Sequence, residues 1–113
     1  MTDTIVIADI SEASAIRTRT ILTDLGYDAH VTLSAAEALQ ACQKLSPAMV
    51  LASYQLPDMD TRELLRILKQ SQGELETIVV CPRRSLPAAA RRLKPLVSGL
   101  LGSPSSALCR RRK

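Results

Sequence analysis

The sequence predicts an α/β domain built on a five-stranded, doubly wound parallel sheet. Three observations predict it. Short apolar runs rich in β-branched residues recur at Thr4 to Ala8 (TIVIA), Met49 to Ala52 (MVLA) and Thr77 to Cys81 (TIVVC), as in strands buried on both faces. Segments with apolar residues at helical spacing alternate with these runs. The chain has 113 residues, 46% of them apolar, which is enough for one compact core and too little for two domains.

Each element follows from local signals. After the first strand, Ser11 offers an N-cap, and Ala15, Thr18, Leu22 and Leu25 follow at helical spacing with Ile21 beside them. Gly26 closes that helix. Tyr27 to Leu33 reads as the second strand, and Ser34 with Glu37 forms a capping box for a helix that turns Ala35, Ala38, Leu39 and Cys42 inward. Pro47 precedes the third strand, Met49 to Ala52. In the loop Leu56-Pro57-Asp58-Met59-Asp60, Asp58 is expected as a turn residue and Asp60 as the cap of a helix carrying Leu64, Leu65 and Leu68, ended by Gln72-Gly73. Thr77 to Cys81 is the fourth strand, Leu86 to Lys94 a short helix broken by Pro95, and Leu96 to Leu101 a weaker fifth strand. Residues 1–104 thus form the globular unit, and 105–113 a shortened last helix with a basic tail. Alternation at this spacing implies right-handed βαβ units and a flavodoxin-like strand order of 2-1-3-4-5. Ligands in such folds bind beyond the carboxyl ends of the strands, here Asp9-Ile10, Ser53, Cys81 and Ser103.

Composition narrows the function. Aromatic residues make up 2% of the chain, Phe and Trp are absent, and only Tyr27 and Tyr54 could stack on a base. Cys42, Cys81 and Cys109 have no metal-ligand spacing, so a reduced, cytoplasmic protein without a metal or cofactor is expected. No secretory leader is expected, because the run Ile5 to Ala8 is short and lacks a basic lead-in. No apolar run approaches the roughly 20 residues of a membrane helix. Charge is divided along the chain: residues 1–80 hold six basic and eleven acidic side chains, a net of −5, whereas residues 81–113 hold nine basic and no acidic ones. Such asymmetry points to an acidic partner, protein or nucleic acid, or to a solvated helix face with a basic tail.

The run PAMVLASYQLPDMDTRELLRILK resembles the centre of the receiver domains of bacterial response regulators, where a buried strand ends in Asp before a Leu-Pro or Met-Pro turn and a Met-Asp-Gly helix start. VIADISEASAIRTRTILTDLGYDA is similar to their first strand and helix, and GLLGSP to the end of their fifth strand. The resemblance spans essentially the whole chain. It implies a magnesium ion held by two acidic residues after the first strand and one Asp after the third, which accepts a phosphoryl group. A Ser or Thr after the fourth strand and a Lys after the fifth bind phosphoryl oxygens there, and an aromatic on the fifth strand acts as a switch. That chemistry is positioning and charge neutralisation around a hard cation.

At the matching positions this chain has Asp9, Ile10, Ser53, Cys81 and Ser103, with Leu100 at the switch position and Thr61 where the resemblance implies Gly. Ile10 offers no oxygen, and the Ser53 hydroxyl needs a neighbouring base to attack, while the single His, His30, maps to the second strand. Cys81 beside Arg83 and Arg84 admits a second reading as a redox-active thiol of lowered pKa. Ser53 admits one as a target of a separate kinase.

The expected function is therefore a non-enzymatic pseudo-receiver, a phosphorylation-independent protein-interaction module in bacterial two-component signalling. Its partner carries an acidic surface, such as a signalling kinase or regulator, with a homodimer as a further possibility and no membrane contact. The expected contacts are Arg83, Arg84, Arg91, Arg92, Lys94, Arg110, Arg111 and Arg112. Rival readings are a nucleic-acid binder using the Arg-rich C-terminal third, which lacks a DNA-binding motif, an atypical receiver that is still active, and a fragment of a larger regulator.

Overall fold

The structure, a computed structural model, describes residues 3–71, 75–82, 84, 86–93 and 99–103, with 82, 86, 92 and 100–103 described for the backbone only. Nine elements alternate along it: β1 Thr4–Ala8, α1 Glu12–Asp24, β2 Asp28–Thr32, α2 Ala35–Leu45, β3 Met49–Ser53, α3 Thr61–Ser71, β4 Glu76–Pro82, α4 Leu86–Leu93 and β5 Gly99–Ser103. The strands form one sheet in the order β2-β1-β3-β4-β5, and every pairing is parallel. β5 is described over Gly99–Ser103, and Leu96 to Ser98 of the expected fifth strand lie outside the described residues. The expected last helix and tail, 105–113, lie outside the described residues, as do Gln72 and Gly73. Among the described residues no helix is long and apolar enough to cross a membrane.

Strand alternation divides the core. Val6, Ala8, Val50 and Ala52 point to one side, where Ala35, Ala38, Cys42, Leu64 and Leu68 of α2 and α3 close over them. Farther along that side Val79 and Cys81 pack with Leu65 of α3 and with Ala89 and Leu93 of α4. The opposite side buries Ile5 and Ile7, and Ala15 of α1 is buried as well. Small residues on β1 and β3 let α2 and α3 approach closely, so the space that aromatics would fill is taken by leucines.

The caps are largely as the sequence predicts. Ser11 Oγ accepts from the Ser14 N–H at 3.2 Å, and Ser34 Oγ accepts from the Glu37 N–H at 3.2 Å. The Glu37 carboxylate reaches one residue farther back than a standard capping box, accepting from the Leu33 N–H at 3.0 Å. α1 ends at Leu25, and Gly26 follows with φ of +98°, the left-handed turn that glycine adopts without a Cβ penalty. Because Leu25 is the cap and the chain turns away after it, its side chain is 68% exposed, against the expectation that it faces inward.

Asp58 does more than shape a turn. Its two carboxylate oxygens accept from the N–H groups of Ala35 at 2.8 Å and Ala36 at 3.0 Å, so the β3–α3 loop clips onto the first turn of α2. These two hydrogen bonds hold the Asp58 pKa below the usual carboxylate value. Asp60 does cap α3: Oδ1 accepts from the Arg62 N–H at 3.0 Å, and its carbonyl accepts from the Leu64 N–H at 3.1 Å.

Two outcomes are expected. Leu64→Ala, at a fully buried site, lowers unfolding free energy by about 2–5 kcal/mol in urea denaturation. Asp58→Asn is less stable than the parent at neutral pH, and the gap narrows on acidification. A depressed carboxylate pKa stabilises the fold fully above its unfolded value of about 3.9 and loses that contribution as pH falls through the folded value. Thermal melts from pH 7 to pH 2 check the sign, and a gap that widens in acid refutes it.

Candidate functional site

The parallel register brings the carboxyl ends of the central strands level. Ala8 lies opposite Ala52, and Ser53 lies opposite Val80, so Asp9, Ser53 and Cys81 end adjacent strands side by side. They border a crevice of about 360 Å³ whose floor is Ile7, Leu51 and Val80. Ile10, Ser11 and Gln55 complete its rim, and α1 contributes Ser14, Arg17 and Thr18. Four of the five expected pocket positions therefore meet. Ser103 ends β5, paired in register with Pro82, and its side chain, like that of Leu100, lies outside the described residues.

Each side chain has an identifiable state. Asp9 Oδ1 accepts from the Ser11 N–H at 3.1 Å, so it helps turn the chain from β1 into α1. Its backbone N–H donates to the Thr32 carbonyl at 3.2 Å, and Thr32 Oγ1 donates in turn to the Ile7 carbonyl at 2.7 Å. Ile10 is 58% exposed and also borders a neighbouring hollow lined by Tyr54, Leu56, Pro57 and Met59. Ser53 is half-buried. Cys81 is buried, and burial raises its thiol pKa. That direction runs against the reading of Cys81 as an activated thiol: among the described residues Arg84 is exposed and burial is the influence on the thiol, while Arg83 lies outside them. Burial likewise pushes Cys42 up to about 11.

Thr61 is buried at the start of α3, and its Oγ1 lies 2.8 Å from the Ser53 carbonyl and 2.9 Å from the Tyr54 carbonyl, donating its one proton between them. It needs no left-handed backbone, since Ser46 is the one non-glycine with positive φ among the described residues. The hydroxyl instead ties the helix to the end of β3. Sequence reasoning also missed Arg17, the one cationic side chain bordering the crevice among the described residues, and Ser14. Both were hidden because α1 was read for its inward stripe alone.

Asp9 is the one carboxylate bordering the crevice among the described residues, beside an isoleucine and neutral hydroxyls. Magnesium demands near-octahedral oxygen ligation and is held through carboxylates, so this donor set does not fit it. Among the described residues no group of three His, Cys, Asp or Glu side chains is placed to hold any metal ion. The expected basic contacts are described in part. Arg84 and Arg91 are exposed, with Arg91 on the side of α4 away from buried Ala89 and Leu93, and Arg92 lies on α4 by its backbone. Arg83, Lys94, Arg110, Arg111 and Arg112 lie outside the described residues.

Comparison with known proteins adds the family. A CheY-like response regulator receiver domain protein from Methanospirillum hungatei is 25% identical, with a TM-score of 0.83 over 92% of this chain and 83% of that one. The chemotaxis response regulator CheY4 of Vibrio cholerae is 21% identical, with a TM-score of 0.84 over 92% of this chain and 88% of that one. NtrX from Brucella abortus is 21% identical with a TM-score of 0.86, and this chain covers 92% of itself but 24% of that longer protein. No curated protein sequence matches the chain. The family model of the response regulator receiver domain matches residues 5–106, and the chain belongs to that family.

Proposed function

We propose that this receiver domain is a pseudo-receiver: a cytoplasmic, non-enzymatic interaction module of two-component signalling that works without phosphorylation. One observation carries the reading. At the ends of β1 and β3, where receivers gather carboxylates around a cation, and of β4, where they place a hydroxyl, this crevice gathers Asp9, Ile10, Ser53 and Cys81. Asp9 is engaged by the Ser11 N–H, and Cys81 is a protonated buried thiol. Among the described residues the end of β3 offers no carboxylate acceptor and the crevice no set of carboxylates for a cation, so phosphoryl transfer lacks both its usual nucleophile and its charge neutralisation.

Binding is the activity left to such a domain. Its partner, a kinase or another regulator with an acidic surface, is drawn to the basic C-terminal third, in which Arg84 and Arg91 are exposed. The same charge would attract nucleic acid. The exposed face offers no stacking platform there, since the chain's two aromatics are Tyr27 and Tyr54 and neither belongs to that third.

Three measurements test the proposal. Titration of magnesium to low millimolar concentration, followed by calorimetry or by NMR at Asp9, is expected to show no binding, with an intact receiver as positive control. Ser53→Asp puts an unpaired charge at the half-buried end of β3 and is expected to lower stability by about 1–3 kcal/mol without added metal. An unchanged or raised melting temperature would count against that placement. Once a partner is isolated by affinity pull-down from the native host, reversing charge at Arg91 and Arg92 is expected to slow association with it and flatten its salt dependence, while changes at Asp9 or Ser53 leave affinity nearly untouched. The opposite pattern would return function to the crevice. Gel shifts with random DNA and RNA, and mass spectrometry after phosphodonor treatment, separate the nucleic-acid and active-receiver alternatives.

A further inference from the structure

The surface of α1 carries a pattern that neither the core nor the crevice explains. Its inner side meets the sheet through buried Ala15, with Thr18 and Leu22 half-buried. Among the exposed residues of α1 and its cap, most of them polar, three are large and apolar: Ile16 is 40% exposed, Ile21 57% and Leu25 68%. The exposed sides of α2 and α3 each hold one large apolar residue, Leu45 at 38% and Ile67 at 37%, among polar ones such as Glu37, Gln40, Arg62 and Arg66. Ile21 and Leu25 are the more exposed and adjoin one another at i and i+4, an apolar strip of the kind that another molecule covers.

The charges beside this strip say what covers it. Arg17, Ile21, Asp24 and Leu25 stand at positions i, i+4, i+7 and i+8, one exposed stripe along two turns. Arg17 and Asp24 bracket Ile21, and neither makes an ion pair among the described residues. Such a stripe is complementary to itself when reversed. In an antiparallel pair of these helices with a two-fold axis at Ile21, the two isoleucines meet. Arg17 then lies opposite Leu25 and Asp24 of the other copy, so its stem covers the leucine and its guanidinium reaches the carboxylate. Symmetry forms that ion pair twice. A parallel pairing would instead set Arg17 against Arg17 and Asp24 against Asp24.

We infer that α1 is a homodimerisation surface, pairing antiparallel with α1 of a second copy of this chain through Ile21 and two reciprocal Arg17–Asp24 ion pairs. The inference does not rest on the pseudo-receiver reading: Arg17 also borders the crevice, but the pairing uses the exposed side of α1 and no residue on which phosphoryl chemistry or the basic α4 surface depends. A thirteen-residue helix offers less contact than a standard interface of about 1,600 Å², so the dimer is weak and reversible, with a dissociation constant of about 10⁻⁴ M.

Sedimentation equilibrium of the full chain over a range of concentrations tests it, with thermal melts confirming that each variant is folded. The parent chain is expected to associate to dimers. Arg17→Asp and Asp24→Arg singly are each expected to weaken the dimer by about tenfold, since each turns both ion pairs into like-charge contacts. The double variant restores opposite charges and is expected to return to within about threefold of the parent. Ile21→Glu is expected to abolish association, and Arg91→Glu to leave it unchanged. A chain that stays monomeric up to about 1 mM overturns the inference. So do single reversals that change nothing, or a double variant that fails to recover.

Discussion

The pairing of β1 with β3 is the constraint on which the rest of the molecule depends. Residues Ile5 to Ala8 run parallel to Met49 to Ala52 at the centre of the sheet, with helices over both faces. Parallel strands cannot be joined by a tight turn, so the register is set by buried side chains fitting under α2 and α3. A slip of one residue would turn Val6, Ala8, Val50 and Ala52 out of the core and rotate Asp9 and Ser53 away from each other. Core packing and the composition of the crevice are thus one problem. The small residues that let α2 and α3 sit close to the sheet also fix which side chains face one another at its end.

The charge at such a place has energetic consequences beyond chemistry. Carboxylates crowded at the ends of buried strands repel one another and resist desolvation unless a cation sits among them. Ile10 and Ser53 bring no charge to the crevice, and Asp9 makes a local hydrogen bond to the start of α1. The same reasoning applies to Cys81, whose burial raises the thiol pKa by disfavouring the charged form.

Most of the fold was legible because it is written in local signals. Buried strands appear as β-branched runs, and Ser11, Ser34, Gly26 and Asp60 mark helix ends by mechanisms that act over a few residues. The crevice was legible in its strand-end members because parallel topology brings strand ends together whatever their identity. What escaped detection acts at a distance. Asp58 looks like a turn residue until α2 is placed beside it, and Thr61 looks like an awkward replacement for glycine until two carbonyls converge on its hydroxyl. Leu25 was misread because helical spacing gives a stripe but not how the end of the helix is cut off, and Arg17 was missed because it stands off that stripe.

The contact between Asp58 and the first turn of α2 also bears on the order in which the chain acquires its structure. Ala35 and Asp58 are 23 residues apart, so as the chain emerges from a ribosome α2 is complete well before its second cap exists. Ser34 alone satisfies one amide of the new helix, and the amides of Ala35 and Ala36 face water until the β3–α3 loop arrives. The helix therefore forms provisionally, able to fray and re-form, and becomes permanent only when β3 has been added beside β1 and the loop closes over it. A single side chain thereby makes the fixing of one helix conditional on the correct placement of the next strand.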